Sequence, residues 1–290
     1  MELAGKVTFV TGGAHGIGAA LCHRFAQAGA RAVVVVDLDF DAATAVAEDV
    51  GGVAIRADVT SEIDLGRAID QASQAFGHID LLCLNAGIAI EGGIEVPNPQ
   101  WQRIWDVNVM SHVYGLRAAL PSMIERGEGY VLHTASAAGL LTNLGAAPYT
   151  VTKHAVVALA EWAAITYGDS GVKFSCLCPM GVKTDMLEAA QGGIAQMLGT
   201  TAIEPSAVAE AAVAGIEAEE FLILPHPEVA EMFARKAADF EKWMNGMRRL
   251  QSVIDDGDEA AGIERPSRAH RKTSDSRTET KPGRTRQEPR

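Results

Sequence analysis

The apolar residues of this chain come in short unbroken runs, and that pattern limits the fold more than any other feature. RAVVVVDLD (31–39) is the clearest, and KVTFV (6–10), GVAIRAD (52–58), IDLLCLNAG (79–87), YVLHTAS (130–136), VKFSCLCP (172–179) and FLIL (221–224) share its character. A strand with one face in water alternates apolar and polar residues. A strand apolar at successive positions is buried on both faces. Between the runs lie stretches of helical period: 18–30, 41–50, 61–77, about 100–126 and 149–168. Ser61, with Asp64 three residues on, reads as the N-cap of one of them. Strands alternating with helices close right-handed crossovers, so the expected class is α/β with a doubly wound parallel sheet. With 290 residues and no repeat or linker before about 255, the reading is one domain over 1–255. It includes a polar-rich helical extension from His226 to about Ile254, and a disordered basic tail over 256–290 follows.

Charge and cysteine usage narrow the function classes. Residues 264–290 hold nine Lys or Arg against four Asp or Glu, while 1–263 hold 16 against 33. So acidic a body argues against nucleic acid as the main partner. The tail has too little apolar surface to offset its ordering entropy, hence the expectation of disorder. Cys22, Cys83, Cys176 and Cys178 lie in apolar segments without ligand spacing, so buried reduced thiols and no metal are expected. With no run of ~18–20 apolar residues and no leader-like start, no membrane span is expected and the expected location is cytoplasmic.

Two short stretches carry chemistry. TGGAHGIG (11–18) follows the first strand and opens the first helix. Glycines at 12, 16 and 18 allow a tight turn and close approach to a pyrophosphate, which meets the free N–H groups of a helix N-terminus. Asp37, at the end of the second strand, can accept the ribose hydroxyls of an adenosine and would repel a 2′-phosphate. Asp39, and the absence of Lys or Arg at 15 and 38, favour NAD over NADP in the same way. The second stretch is PYTVTKHAV (148–156), where Tyr149 and Lys153 share one helical face. Alone, that spacing suits a packed aromatic beside a solvated lysine as well as an acid–base pair.

In order, these residues resemble the short-chain dehydrogenase/reductase family, whose sheet is of the Rossmann type. The turn Thr11-Gly12-Gly13-Ala14-His15-Gly16-Ile17-Gly18 is similar to the family's T-G-x-x-x-G-x-G. Asp58-Val59 resembles its adenine-contacting acid, with Leu38 beside the ribose acid. Asn85-Ala86-Gly87 resembles its N-A-G, Ser136 precedes Tyr149 by 13 residues, and Tyr149–Lys153 matches Y-x-x-x-K. The resemblance covers about 4–224. It implies cofactor contacts from Gly12, Ala14, His15, Gly16, Ile17, Gly18, Asp37, Leu38, Asp58, Val59, Asn85, Ala86, Gly87, Tyr149, Lys153, Pro179, Gly181, Val182 and Thr184. It implies catalytic roles for Asn108, Ser136, Tyr149 and Lys153, and a homodimer or homotetramer. Met180 stands where the family has glycine, and FLILPHPEV runs into a helix where the family has a short glycine-rich finish.

The implied chemistry is transfer of a hydride to NAD matched by proton transfer at the alcohol oxygen. A phenol titrates near 10, and an ammonium one turn away favours phenolate. Ser136 would donate to the substrate oxygen, and Asn108 would fix a water beside Lys153. His112, His133 and His154 read as structural. The loops 89–97, 138–148 and 185–199 hold Leu140, Leu141, Leu144, Met180, Met186, Leu187 and Met197. They suit a hydrophobic small molecule: a secondary alcohol or ketone. An NADP-linked carbonyl or 3-ketoacyl reductase and a non-catalytic NAD-binding sensor are the alternatives.

Overall fold

The computed structural model describes residues 1–190 and 192–260; the expected tail from 261 onward lies outside the described residues. The strands are β1 (Val7–Thr11), β2 (Ala32–Asp37), β3 (Val53–Arg56), β4 (Leu81–Leu84), β5 (Gly129–Thr134), β6 (Val172–Leu177) and β7 (Leu222–Ile223). All pair in parallel, in the order β3-β2-β1-β4-β5-β6-β7. The strand order reverses between β1 and β4, and that switch point makes the crevice where ligands of such sheets bind.

The helices are α1 (Gly16–Gln27), α2 (Phe40–Val50), α3 (Glu62–Phe76), α4 (Asn98–Trp105), α5 (Ser111–Arg126), α6 (Ala138–Leu141), α7 (Ala147–Tyr167), α8 (Asp185–Glu188), α9 (Gly192–Thr200), α10 (Pro205–Glu217), α11 (Glu228–Ala238) and α12 (Phe240–Ala260). The unbroken valines of β2 explain the layering. Val33 and Val35 enter one core with Leu21 and Phe25 of α1, Ala47 of α2 and Val213 of α10. Val34 and Val36 enter the opposite core with Leu65 of α3 and Leu120 and Met123 of α5. The central strands are thus apolar on both faces because each face has its own helical layer.

Five features differ from expectation. β3 is an edge strand with Val53 and Arg56 exposed, so its apolar character is only partial. α7 begins two residues early because Pro148 fits a first helical turn, where its missing N–H is no loss. α10, unassigned in the sequence reading, is an alanine-rich helix packed against α1. The extension is two helices, broken at Asp239, whose extended backbone (φ −150°, ψ 87°) ends α11. α12 continues through Ala260, past the expected boundary at 255. Among the described residues no helix is long and apolar enough to cross a membrane.

Candidate active site

The glycine turn between β1 and α1 is pressed against the segment after β4. Gly12 has φ +64°, and a Cβ there would lie 2.9 Å from the Ala86 Cα. A Cβ on Gly18 would lie 1.9 Å from the Gly12 carbonyl oxygen, so only glycine fits. Thr11 locks the two segments: its Oγ1 accepts from the Asn85 and Ala86 N–H groups at 2.9 and 3.1 Å. Asn85 Nδ2 donates back to the Thr11 and Gly12 carbonyls. The first turn of α1 carries no acidic residue, so its N-terminal dipole end stays open to an anion.

Asp37 closes this half of the site. Its Oδ2 accepts from the Ala14 N–H at 3.1 Å and its Oδ1 from the Asp39 N–H at 3.1 Å. Each oxygen keeps a further lone pair for a ligand hydroxyl. Asp39 caps α2 through the Ala42 N–H and pairs with His15 Nε2 at 3.2 Å; these bonds, the backbone one foremost, hold its carboxyl below the usual range. Asp58 Oδ1 accepts from both the N–H and the hydroxyl of Thr60, which fixes the turn after β3.

The second half gathers around α7. Lys153 is buried and donates from Nζ to the Thr134 carbonyl at 3.0 Å. Its Nζ lies 5.7 Å from the Tyr149 ring centroid. Ser136 Oγ accepts from the Ala138 N–H at 3.1 Å and donates to the Pro179 carbonyl at 3.4 Å. Asn108 sits in a single π-helical turn (Asp106–Met110) between α4 and α5, a rare feature that often marks functional positions. Its amide is heavily engaged: Nδ2 donates to the Ile88 carbonyl and Thr152 Oγ1, and Oδ1 accepts from the Ile88 N–H at 2.8 Å. Gly87 faces both groups: a Cβ there would make contact at 3.4 Å with Asn108 Oδ1 and Lys153 Nζ.

Both halves line one cavity of about 1160 Å³, above the roughly 300–1,000 Å³ usual for a single small ligand. Gly12, His15, Gly16, Ile17, Gly18, Asp37, Leu38, Asp58, Val59, Asn85, Ala86 and Gly87 line it, with Ser136, Tyr149, Lys153, Pro179, Gly181, Val182 and Thr184. Three expected residues stand behind the wall. Ala14 is buried with its N–H on Asp37, and Asn108 is buried behind Gly87. Leu140 packs into the core under α6, leaving Leu141 to face the cavity.

Burial acts on both partners of the Tyr149–Lys153 pair. Burial pushes Tyr149 up from its ordinary value, with a smaller downward pull from the Ser136 hydroxyl. Burial likewise pushes Lys153 down to about 8, against the upward pull of the Cys178 and Cys176 thiols. Desolvation is the largest cause at both groups.

A short-chain dehydrogenase family model matches residues 6–193, about two thirds of the chain. The chain belongs to the short-chain dehydrogenase family. Its oxidoreductase class and nucleotide-binding fold follow from that membership. Among curated proteins it is 35% identical over 192 residues to 3beta-hydroxysteroid dehydrogenase 2 of Eggerthella lenta, covering 63% of this chain and 74% of that one. Among solved structures it resembles a short-chain dehydrogenase/reductase of Burkholderia phymatum in complex with NAD, at TM-score 0.76 and 28% identity over 83% of this chain and 96% of that one. It also resembles a 3-ketoacyl-(acyl-carrier-protein) reductase of Brucella melitensis complexed with NADH, at TM-score 0.72 and 29% identity over 77% and 97%.

Beyond the family's motifs the cavity has walls that the sequence reading missed. Met232, Trp243, Met247 and Leu250, all from α11 and α12, line it. His226, also unassigned, is buried between β7 and α11. It accepts the Met180 N–H on Nδ1 at 3.1 Å, and its Nε2 faces the Gly181 carbonyl at 3.1 Å. A backbone N–H only donates and a carbonyl only accepts, so this His is a neutral Nε2–H tautomer. It braces the loop where Met180 replaces the family's glycine. Gly181 is pressed on α9, where a Cβ would lie 2.4 Å from the Leu198 carbonyl oxygen.

Proposed function

We propose that this protein is an NAD-dependent dehydrogenase that interconverts an apolar secondary alcohol and its ketone. The observation that carries the reading is one cavity lined at one end by Asp37 and the glycine turn and at the other by Ser136, Tyr149 and Lys153. In this reading Gly12, His15, Gly16, Ile17, Gly18 and the α1 terminus hold the pyrophosphate. Asp37, oriented by Ala14, holds the adenosine ribose beside Leu38, and Asp58 and Val59 flank the adenine. Asn85, Ala86 and Gly87 floor the cleft, while Pro179, Gly181, Val182 and Thr184 edge the nicotinamide. The close-packed glycine cradle, which a Cβ would fill, supports this fit. When bound, NAD supplies the acceptor for the carbinol hydride.

The chain's own groups manage the proton. Tyr149 takes the hydroxyl proton during oxidation and returns it during reduction. Ser136 donates a hydrogen bond to the substrate oxygen. Lys153, cationic below about pH 8, stabilises the phenolate and binds the nicotinamide ribose. Asn108 acts as a positioning residue: its remaining Oδ1 lone pair holds a water on the Lys153 side. Asp37 and Asp39 together disfavour a 2′-phosphate. NAD and NADH in the two structural neighbours are compatible with that preference.

Leu141, Leu144, Met180, Met186, Leu187 and Met197 give the substrate end its apolar lining. The similarity to a hydroxysteroid dehydrogenase supports the same substrate class. A homodimer through α5 and α7 belongs to the proposal, supported by the exposed Trp162 and Ile165 on α7. So does a cytoplasmic location, supported by four buried free thiols.

The test is NADH absorbance with purified protein and a panel of apolar secondary alcohols, run with NAD and with NADP. Turnover with NAD and at least about tenfold poorer use of NADP is expected, a difference of about 1.4 kcal/mol. Tighter use of NADP would favour the carbonyl or ketoacyl reductase reading. Cofactor binding with no turnover on any alcohol or ketone would point to a sensor.

A further inference from the structure

The cavity extends past the region that the family model matches, which ends at residue 193. Its far end belongs to the C-terminal helices. Along α12 the sheltered positions include Trp243, Met247, Leu250 and Ile254, while Met244, Arg248, Arg249 and Val253 are exposed. Spacings of four, three and four make a single stripe along one helix face. That stripe meets α9, whose Ile194 and Leu198 line the same cavity. Trp243 and Met232 also pack on the cluster that holds Leu141 and Cys178.

Two bonds tie the arm to the site. His226 bridges the backbone of Met180 and Gly181, and Lys236 Nζ donates to the Leu140 carbonyl at 2.5 Å. The arm is therefore anchored at the loop after β6 and at α6, on either side of the catalytic end.

We propose that α11 and α12 are the substrate-specificity element, with Trp243, Met247 and Leu250 as the wall on which the far end of the substrate rests. This rests on the dehydrogenase reading above. An indole face suits a flat ring system, and the unbranched methionine adapts to its edge. The wall side chains carry no charge, so an ionised or phosphorylated tail gains nothing there. The substrate class is then a rigid polycyclic secondary alcohol, long enough to span from Tyr149 to Trp243.

The test compares full-length wild type, W243A, W243F and M247A on cyclohexanol and on a 3β-hydroxysteroid, with NADH binding measured by fluorescence. W243A and M247A are expected to lower the steroid-to-cyclohexanol ratio of kcat/KM by about tenfold, chiefly through the steroid KM. W243F, which keeps a flat ring, is expected to lose less. A ratio unchanged in both alanine variants, or wild type that oxidises cyclohexanol and not the steroid, overturns the proposal. Steroid binding is also read from tryptophan fluorescence: a quench that disappears in W243F supports the wall even if neither alcohol is oxidised. In that case the dehydrogenase reading fails and the wall stands. A quench that persists in W243F overturns the wall, whatever the turnover.

Discussion

Asp37 is a carboxylate that serves the fold and, in the proposed reading, a ligand as well. Two backbone N–H groups fix its plane, and the lone pairs they leave face the cavity. D37A should weaken NAD binding by about tenfold and narrow the gap between NAD and NADP, as competitive binding titrations would read. An unaltered gap would remove the electrostatic argument. Lys153 is a residue whose proposed role opposes stability. It titrates at about 8 in the folded protein against 10.5 ordinarily, so between those values the unfolded chain holds a proton the folded one has released. Stability from this group rises with pH across 8 to 10.5, and below 8 it carries the full burial cost of about 3 kcal/mol. K153M should abolish turnover yet raise the unfolding free energy at neutral pH by about 2 kcal/mol after loss of the Thr134 bond, as denaturant titration would read. Its advantage over wild type should fade toward pH 10.5. Tyr149, Lys153, Ser136 and Asp37 were legible in the sequence because each sits in a motif of fixed spacing. Their protonation balance was not, because burial, which spacing does not report, decides it.

At the scale of elements, the strands were legible because burial on both faces leaves unbroken apolar runs. α10 was missed because PSAVAEAAVAGIE has apolar residues on most sides and no sharp polar face; its burial against α1 comes from tertiary packing. The place of the extension in the cavity wall was missed for a related reason. Trp243, Met247, Leu250 and Ile254 form a visible stripe, but nothing local says that the stripe meets the cavity. His226 was hidden as well, since a histidine between two prolines has no partner in sequence. H226A should leave the Met180 N–H and Gly181 carbonyl unpaired, at about 2 kcal/mol. It should lower the melting temperature and raise the KM for NAD. H226Q, with a donor and an acceptor on one amide, should restore part of both; unchanged kinetics in H226A would show that the brace does not reach the site.

At the scale of the whole molecule, the centre of the sheet carries a polar liability. His112 of α5 and His133 of β5 are fully buried and meet Nδ1 to Nδ1 at 2.9 Å, and each Nε2 is unpartnered. Burial pushes His133 down to about 3 and His112 well below its usual value. The unfolded chain takes up these protons first, so stability falls as pH drops from about 6.5. H112L/H133L should therefore move the acid-unfolding midpoint down by about one pH unit; a midpoint that stays or rises would show that other groups set it. In the proposed dehydrogenase Tyr149 moves the proton, at a site that binds cofactor without it. The most direct measurement is NADH formation by Y149F beside its NADH affinity. The account predicts a loss of about 10³-fold in kcat with cofactor affinity within about twofold of wild type. Turnover retained, or cofactor binding lost along with it, would contradict the account.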